Sequence, residues 1–228
     1  MLKKMTLKGK LLAIFIVVSL IPLGVVTFIS VKKASNSLQS EVISKLTAIQ
    51  EAKRNHLQYY FERVYAAVGI IKNDPYLYGS MQAFTEAFES AGKTVNDTAW
   101  QTLVEFKEPP ILSTVEKYGF YDLLMISPGG YIVYSTKKGK DLGMNIPESE
   151  LKDSSLGLAF QKIKDNSEGI LFADFGGYPT AADEQAAFMI VSIVNRLNAV
   201  LGYVAIRIPV DTLELCSKVV FEGELKKK

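Results

Sequence analysis

Residues 118–145 read YGFYDLLMISPGGYIVYSTKKGKDLGMN. Two runs rich in aromatic and branched apolar residues, 120–126 and 131–135, flank Ser127-Pro128-Gly129-Gly130. Runs of this kind bounded by turn residues read as strands. Proline then glycine at the two central turn positions is what a type II turn demands. The stretch therefore predicts an antiparallel hairpin, with the polar segment 136–145 as the loop that leaves it.

Downstream the same alternation of runs and turns continues. Residues 156–163 read as a short helix with Ser154 or Ser155 as its cap. Residues 170–175, 186–194 and 200–208 read as strands, the last two joined by Asn195-Arg196-Leu197-Asn198-Ala199, a loop length common in hairpins. Strands in runs, with helices gathered on one side, imply an α+β domain around an antiparallel sheet of about five strands.

Upstream the period changes from two to between three and four. Met81, Phe84, Ala87 and Phe88 share one side of a helix over 81–88. Residues 92–110 are less regular; Trp100, Leu103, Val104 and Phe106 can pack on the core, and Pro109-Pro110 is expected to end whatever element lies there. Before that, Leu38, Val42, Leu46, Ile49, Leu57, Tyr60, Val64, Val68 and Ile71 form a single apolar stripe with polar residues between. This is a long amphipathic stalk helix over 35–73, with caps available at Ser35, Asn36 and Ser37 and a stop at Asn73-Asp74-Pro75. Its stripe needs either the domain or a partner stalk to cover it. His56 falls on this helix without acidic or cysteine neighbours and reads as an ordinary surface or stripe residue.

From Leu11 to Ile29 the only polar residues are Ser19 and Thr27. A helix of that length is about 28 Å long, close to the hydrocarbon thickness of a bilayer. A cleaved signal peptide and an uncleaved anchor both begin with a basic start and an apolar run. The run's length and the lack of a small-x-small cleavage site favour the anchor, and both routes export the remainder of the chain. Lys3, Lys4, Lys8 and Lys10 before the span outnumber Lys32 and Lys33 after it, which favours a cytoplasmic N-terminus.

The 228 residues allow one ordinary domain besides span and stalk. A net charge of +2 with 22% charged residues excludes a strongly basic nucleic-acid-binding surface. A lone cysteine, Cys216, and a lone histidine, His56, exclude an internal disulfide and a cysteine/histidine metal cluster. No Gly-x-Ser-x-Gly elbow or phosphate-binding glycine loop is present, so the chain reads as a non-enzyme without cofactor or metal.

The string 118–126, its glycine turn, and Tyr134-Ser135 followed by Lys138, Asp141, Gly143 and Asn145 resemble the extracytoplasmic sensing region of methyl-accepting chemotaxis proteins of the Cache/PAS-like type. Tyr178-Pro179-Thr180, Ala186-Ala187-Phe188 and residues 202–211 continue the likeness in order, after an N-terminal membrane anchor. Three positions depart from the pattern: Gly139 where an acidic residue is common, Met144 where threonine is common and Arg207 where glutamine is common. The resemblance implies a basic cytoplasmic tail over 1–10, a transmembrane helix over 11–30, the stalk over 35–73, a Cache/PAS-like sensing domain over 74–215 and a charged tail over 216–228. It implies a homodimer in the bacterial inner membrane with the sensing domain outside the cytoplasm, no nucleic-acid partner, and a small polar metabolite such as an amino or organic acid as ligand. A second sensing module, another span and a signalling helix bundle are expected in that family beyond this point, so the chain reads as truncated before the signalling module or as a stand-alone binding module.

The candidate ligand-binding residues are Tyr121, Tyr134, Asp174, Tyr178 and Arg207. Alternation along the last strand places Leu201, Tyr203, Ala205 and Arg207 on one face, where a guanidinium beside an aromatic ring can take a carboxylate. The same face can equally be an outer, solvated surface of the sheet. Asp174 is placed to hold an amine or to anchor a turn. Asp122 and Asp141 read as ordinary polar positions. Beside the sensor reading stands a membrane-tethered structural or protein-interaction module.

Overall fold

A computed structural model describes residues 7–165, 169–181 and 185–209; Cys216 and the expected tail over 216–228 lie outside the described residues, as do residues 1–6 of the basic tail. The chain divides into two compact units, Met1–Lys53 and Arg54–Lys228. Helix α1, Leu7–Lys72, contributes to both.

In the first unit the apolar stretch is helical, and its described side chains are exposed, Leu11 at 64% and Ile29 at 57% among them. It is the one helix among the described residues that is long and apolar enough to cross a membrane. Its two polar side chains are satisfied within the helix, since Ser19 Oγ donates to the Phe15 carbonyl at 2.7 Å and Thr27 Oγ1 to the Leu23 carbonyl at 2.8 Å. Pro22 sits inside without ending it, as membrane helices allow. The expected helix start at Ser35 to Ser37 is not observed, because α1 runs unbroken through these residues. Serine and asparagine each cost only tenths of a kcal/mol in a helix, which a helix already propagating on both sides tolerates.

The second unit begins with the last turns of α1, whose stripe residues Val64, Val68 and Ile71 are buried together with Ala67. Proline at 75 stops α1 and starts α2, Pro75–Ser90, where the Asp74 carboxylate accepts from the Tyr76 N–H at 2.8 Å. Asp97 caps α3, Thr98–Tyr118, in the same way, and Gly119 ends it in the left-handed conformation at φ 69°. Helix α3 passes straight through Pro109 and Pro110, contrary to the expectation that they would end it. Prolines have no N–H to give, so the carbonyls of Glu105 and Phe106 lose their helical partners. The Tyr76 hydroxyl donates to that stretch, at 3.5 Å to the Phe106 carbonyl and 3.0 Å to that of Lys107.

Strands β1 (Asp122–Ile126), β2 (Ile132–Ser135), β3 (Ile170–Gly177), β4 (Gln185–Val194) and β5 (Val200–Pro209) form one antiparallel sheet in the order β2-β1-β5-β4-β3. The β1–β2 turn is not type II. Positive φ falls on Gly130, at 91°, and not on Gly129. The Gly130 N–H closes the turn on the Ser127 carbonyl at 2.9 Å, and the Ser127 N–H reaches the Tyr131 carbonyl at 2.8 Å. That is a longer hairpin loop with a left-handed glycine after a tight turn.

Helices cover both faces of the sheet, where the sequence suggested one. On the first face, α1, α2 and α3 enclose Phe84, Phe88, Trp100, Leu123, Met125, Val204 and Ile206. On the second, α4 (Ser155–Asp165) and the short turns Ile146–Glu148 and Glu150–Asp153 enclose Leu124, Ile126, Phe160, Phe188 and Ala205. Ser154, the expected cap of α4, accepts from the Gly157 N–H at 3.2 Å. The residues of β5 alternate between the faces as read, except Leu201. A register shift between Ile193 and Val194, which pairs Val194 with Val200, sets Leu201 against the first face.

Candidate functional site

Arg207 lies near the end of β5, opposite Asp122 of β1 and Phe188 of β4. It points to the second face and is only 8% exposed, so this face is not the solvated surface that alternation alone allowed. Its guanidinium carbon stands 4.9 Å from the centre of the Tyr121 ring and 5.1 Å from that of Tyr178. Ring faces hold a cation through their quadrupoles, while hydrogen bonding from a guanidinium runs in its plane. The strand begins at Asp122 rather than at Phe120, which frees Tyr121 from the alternation of β1 and lets its ring turn to Arg207. Tyr121 is 40% exposed and is the cluster's outer edge, with Lys137 Nζ 5.1 Å from its centre.

Two buried carboxylates accompany the arginine. Asp122, 2% exposed, accepts from Thr136 Oγ1 at 2.7 Å, from Ser135 Oγ at 3.1 Å and from the Lys137 N–H at 3.2 Å. Burial pushes its carboxyl above the usual range, Asp141 adds to that, and the hydrogen bonds pull part of the way back. Asp141, 4% exposed, accepts from the Tyr178 hydroxyl at 2.6 Å. Burial together with this carboxylate raises the phenol of Tyr178 well above its ordinary value, so it stays a donor.

The loop carrying Asp141 is fixed along the free edge of β2. The Gly143 N–H donates to the Ile132 carbonyl at 2.8 Å and the Ile132 N–H to the Met144 carbonyl at 3.0 Å. Gly139 leaves room for this arrangement, since a Cβ there would stand 2.5 Å from Asp141 Oδ1.

Of the five sequence-derived site residues, the structure gathers Tyr121, Tyr178 and Arg207. Tyr134 lies across the sheet on the first face, stacked on Phe84 at 4.7 Å between ring centres. Its hydroxyl donates to Glu108 Oε1 at 3.1 Å, and Glu108 also holds Lys138. The reason is parity: Tyr134 pairs with Met125, whereas the Arg207 side of β1 carries Asp122, Leu124 and Ile126. Asp174 is exposed in the irregular stretch of β3 between Ala173 and Gly176, where its carboxylate accepts from the Phe175 N–H at 2.8 Å. It anchors the bend.

Asp122 and Asp141 are the members that sequence reasoning passed over. For Asp122 the signal was present, because it shares parity with the inward Leu124 and Ile126. No group of three His, Cys, Asp or Glu side chains among the described residues is placed to hold a metal ion. The cluster brings together a stacked cation, a phenol and two acceptors in a region of low dielectric.

No family model matches the sequence, and no curated protein matches it. Among solved structures, the sensor domain of the V. cholerae histidine kinase DctB matches with a TM-score of 0.52 at 12% identity over 78% of this chain and 60% of that one. An extracellular ligand-binding receptor from Desulfohalobium retbaense matches at a TM-score of 0.40 and 10% identity, over 71% of this chain and 26% of that one. The sensory domain of the Campylobacter jejuni chemoreceptor Tlp3 matches at 0.36 and 14%, over 68% and 67%. Only the first carries a structural conclusion: this chain has the fold of the DctB sensor domain and spans 60% of its length.

Proposed function

We propose that this chain is a membrane-anchored, extracytoplasmic ligand-sensing region, of the Cache/PAS-like kind found in chemoreceptors, that binds a small polar metabolite. One observation carries the reading. A nearly buried arginine stacked between Tyr121 and Tyr178, with Asp122 and Asp141 buried beside it, occupies the end of the sheet in a domain with a sensor fold. Uniform apolar packing would stabilise a domain without such a group, because buried charges cost desolvation that their partners only partly return. Retaining Arg207 at this position is consistent with a task beyond stability. Arg207 then takes the carboxylate or another anionic group of an amino or organic acid, and the Tyr121 edge is its way in. The apolar helix 11–30 anchors the domain, which begins after the stalk over 35–73. Leu38, Val42 and Leu46, exposed in the first unit, form the seam with a second copy.

A thermal-shift screen of the full chain in detergent against amino and organic acids tests this. Stabilisation that grows with ligand concentration is expected. A second reading, a tethered protein-interaction module, is favoured by the exposed apolar hollow of Phe61, Tyr65, Phe172 and Met189. A screen without any saturable hit would leave that reading standing and remove the first.

A further inference from the structure

The β4–β5 turn and the α1–α2 junction together form a cleft of about 660 Å³, lined by Lys72, Asp74, Tyr78, Asn195, Arg196 and Leu197 among others. That volume falls within the roughly 300–1,000 Å³ of small-molecule sites. The cleft is separate from the Arg207 cluster. Phe188 pairs with Arg207, and Val194 at the cleft lies six residues further along β4, about 20 Å at the rise of a strand.

Both walls are built from satisfied backbone. In the turn, the Asn195 N–H donates to the Ala199 carbonyl at 2.9 Å and the Asn198 N–H to the Asn195 carbonyl at 2.9 Å. The Asn195 side-chain oxygen accepts from the N–H groups of Leu197 and Ala199, each at 2.9 Å. At the junction, Asp74, the one carboxylate of the lining, is occupied in capping α2 through the Tyr76 N–H. Neither Lys72 nor Arg196 forms an ion pair with any described residue. The lining holds two cations against one carboxylate whose charge the cap leaves in place, and this excess of positive charge at a concave surface favours an anion. Tyr78, Pro75, Val194 and Leu197 give the same cleft an apolar side.

We infer that this cleft is a second ligand site, for a small carboxylate with an apolar or aromatic body. The carboxylate meets the Arg196 fork and the Lys72 ammonium, and the body lies against Tyr78 and Leu197. The fork matches a carboxylate in two parallel hydrogen bonds, and lysine adds a point charge. Occupancy would tie the β4–β5 hairpin to the end of α1.

The test is calorimetric titration of the full chain in detergent with benzoate, and with benzamide as its neutral isostere. Benzoate is expected to bind saturably at millimolar concentration or below and benzamide at least tenfold more weakly. Arg196→Ala and Lys72→Ala should each weaken benzoate several-fold, while Lys162→Ala, at an exposed cation on α4 outside the cleft, should leave it unchanged. Arg196 is exposed, so its replacement leaves the fold intact, which the fluorescence of Trp100 verifies. Absence of saturable binding, equal binding of benzamide, or an unchanged affinity in Arg196→Ala would each overturn the assignment. Loss of benzoate binding in Arg207→Lys alone would place the anion at the other cluster and overturn it too. Failure here leaves the proposed sensing site untouched, because that site is read through Arg207.

Discussion

Replacing Tyr178 with phenylalanine isolates one bond of the cluster. The ring is fully buried, with Phe188 5.0 Å away between centres and Arg207 at 5.1 Å, and phenylalanine keeps both contacts. What disappears is the 2.6 Å donation to Asp141, a carboxylate only 4% exposed. Hydrogen bonds to charged groups contribute about 1.5–3 kcal/mol, and a buried acceptor stripped of its donor costs more than a neutral exchange. Tyr178→Phe should therefore destabilise the domain by about 2–3 kcal/mol, which lowers Tm by ~5–10 °C in a domain of this size. Urea unfolding followed through Trp100, the only tryptophan, measures it. A double-mutant cycle with Asp141→Asn should return a coupling of about 1 kcal/mol or more. A loss below about 0.5 kcal/mol, within the range of ordinary surface substitutions, would refute the claim that this pair holds the loop to the sheet.

The same geometry sets three further outcomes. Because burial raises the Asp122 carboxyl, the folded state holds its proton more tightly than the unfolded chain, so this group's contribution falls as pH rises from the ordinary carboxylate value to the raised one. Asp122→Asn should lack that slope and gain on the parent as pH rises through the window; superimposable pH–stability curves would count against it. A Cβ at Gly157 would collide with the Leu151 and Lys152 carbonyl oxygens, so Gly157→Ala should cost about 1–3 kcal/mol or more, and an unchanged denaturation midpoint would show that α4 can shift away. In a Cys216→Ser background, cysteines at the exposed positions Pro128 and Lys164 should react with an impermeant maleimide on spheroplasts while one at Lys8 should not, and the reverse pattern would invert the orientation.

The strands were legible because their residues alternate between two covered faces while glycine, proline and asparagine mark the turns. Residues 186–194 and 200–208 fall within a residue of β4 and β5. Helix α3 was not legible. Its two prolines carry a strong local signal against a helix, and what keeps it intact is tertiary: buried Trp100, Val104, Ile111 and Val115 on one side, and a hydroxyl from Tyr76 thirty residues away. The turn type was misread because proline-glycine fits two hairpin geometries, and the choice falls to Gly130, where a Cβ would press on Pro147 at 2.9 Å and on Phe160 at 3.2 Å. In the site, the face of Arg207 followed from the parity of β5, whereas its ring partners lie outside any alternation, Tyr121 before β1 and Tyr178 after β3. Tyr134 was misplaced because its aromatic character was weighed without its parity against Met125. Asp141 was beyond reach, since only the closed loop brings it to Tyr178, 37 positions downstream.

The central claim, that Arg207 is the anion-recognising group of a sensor, is tested most directly by comparing the parent with Arg207→Lys in equilibrium titration against the best ligand of the acid screen. Lysine keeps the charge but loses the planar fork held between the two rings. The account predicts an affinity at least tenfold weaker in a variant whose Trp100 fluorescence and unfolding remain cooperative. Equal affinity in a folded Arg207→Lys variant would contradict it.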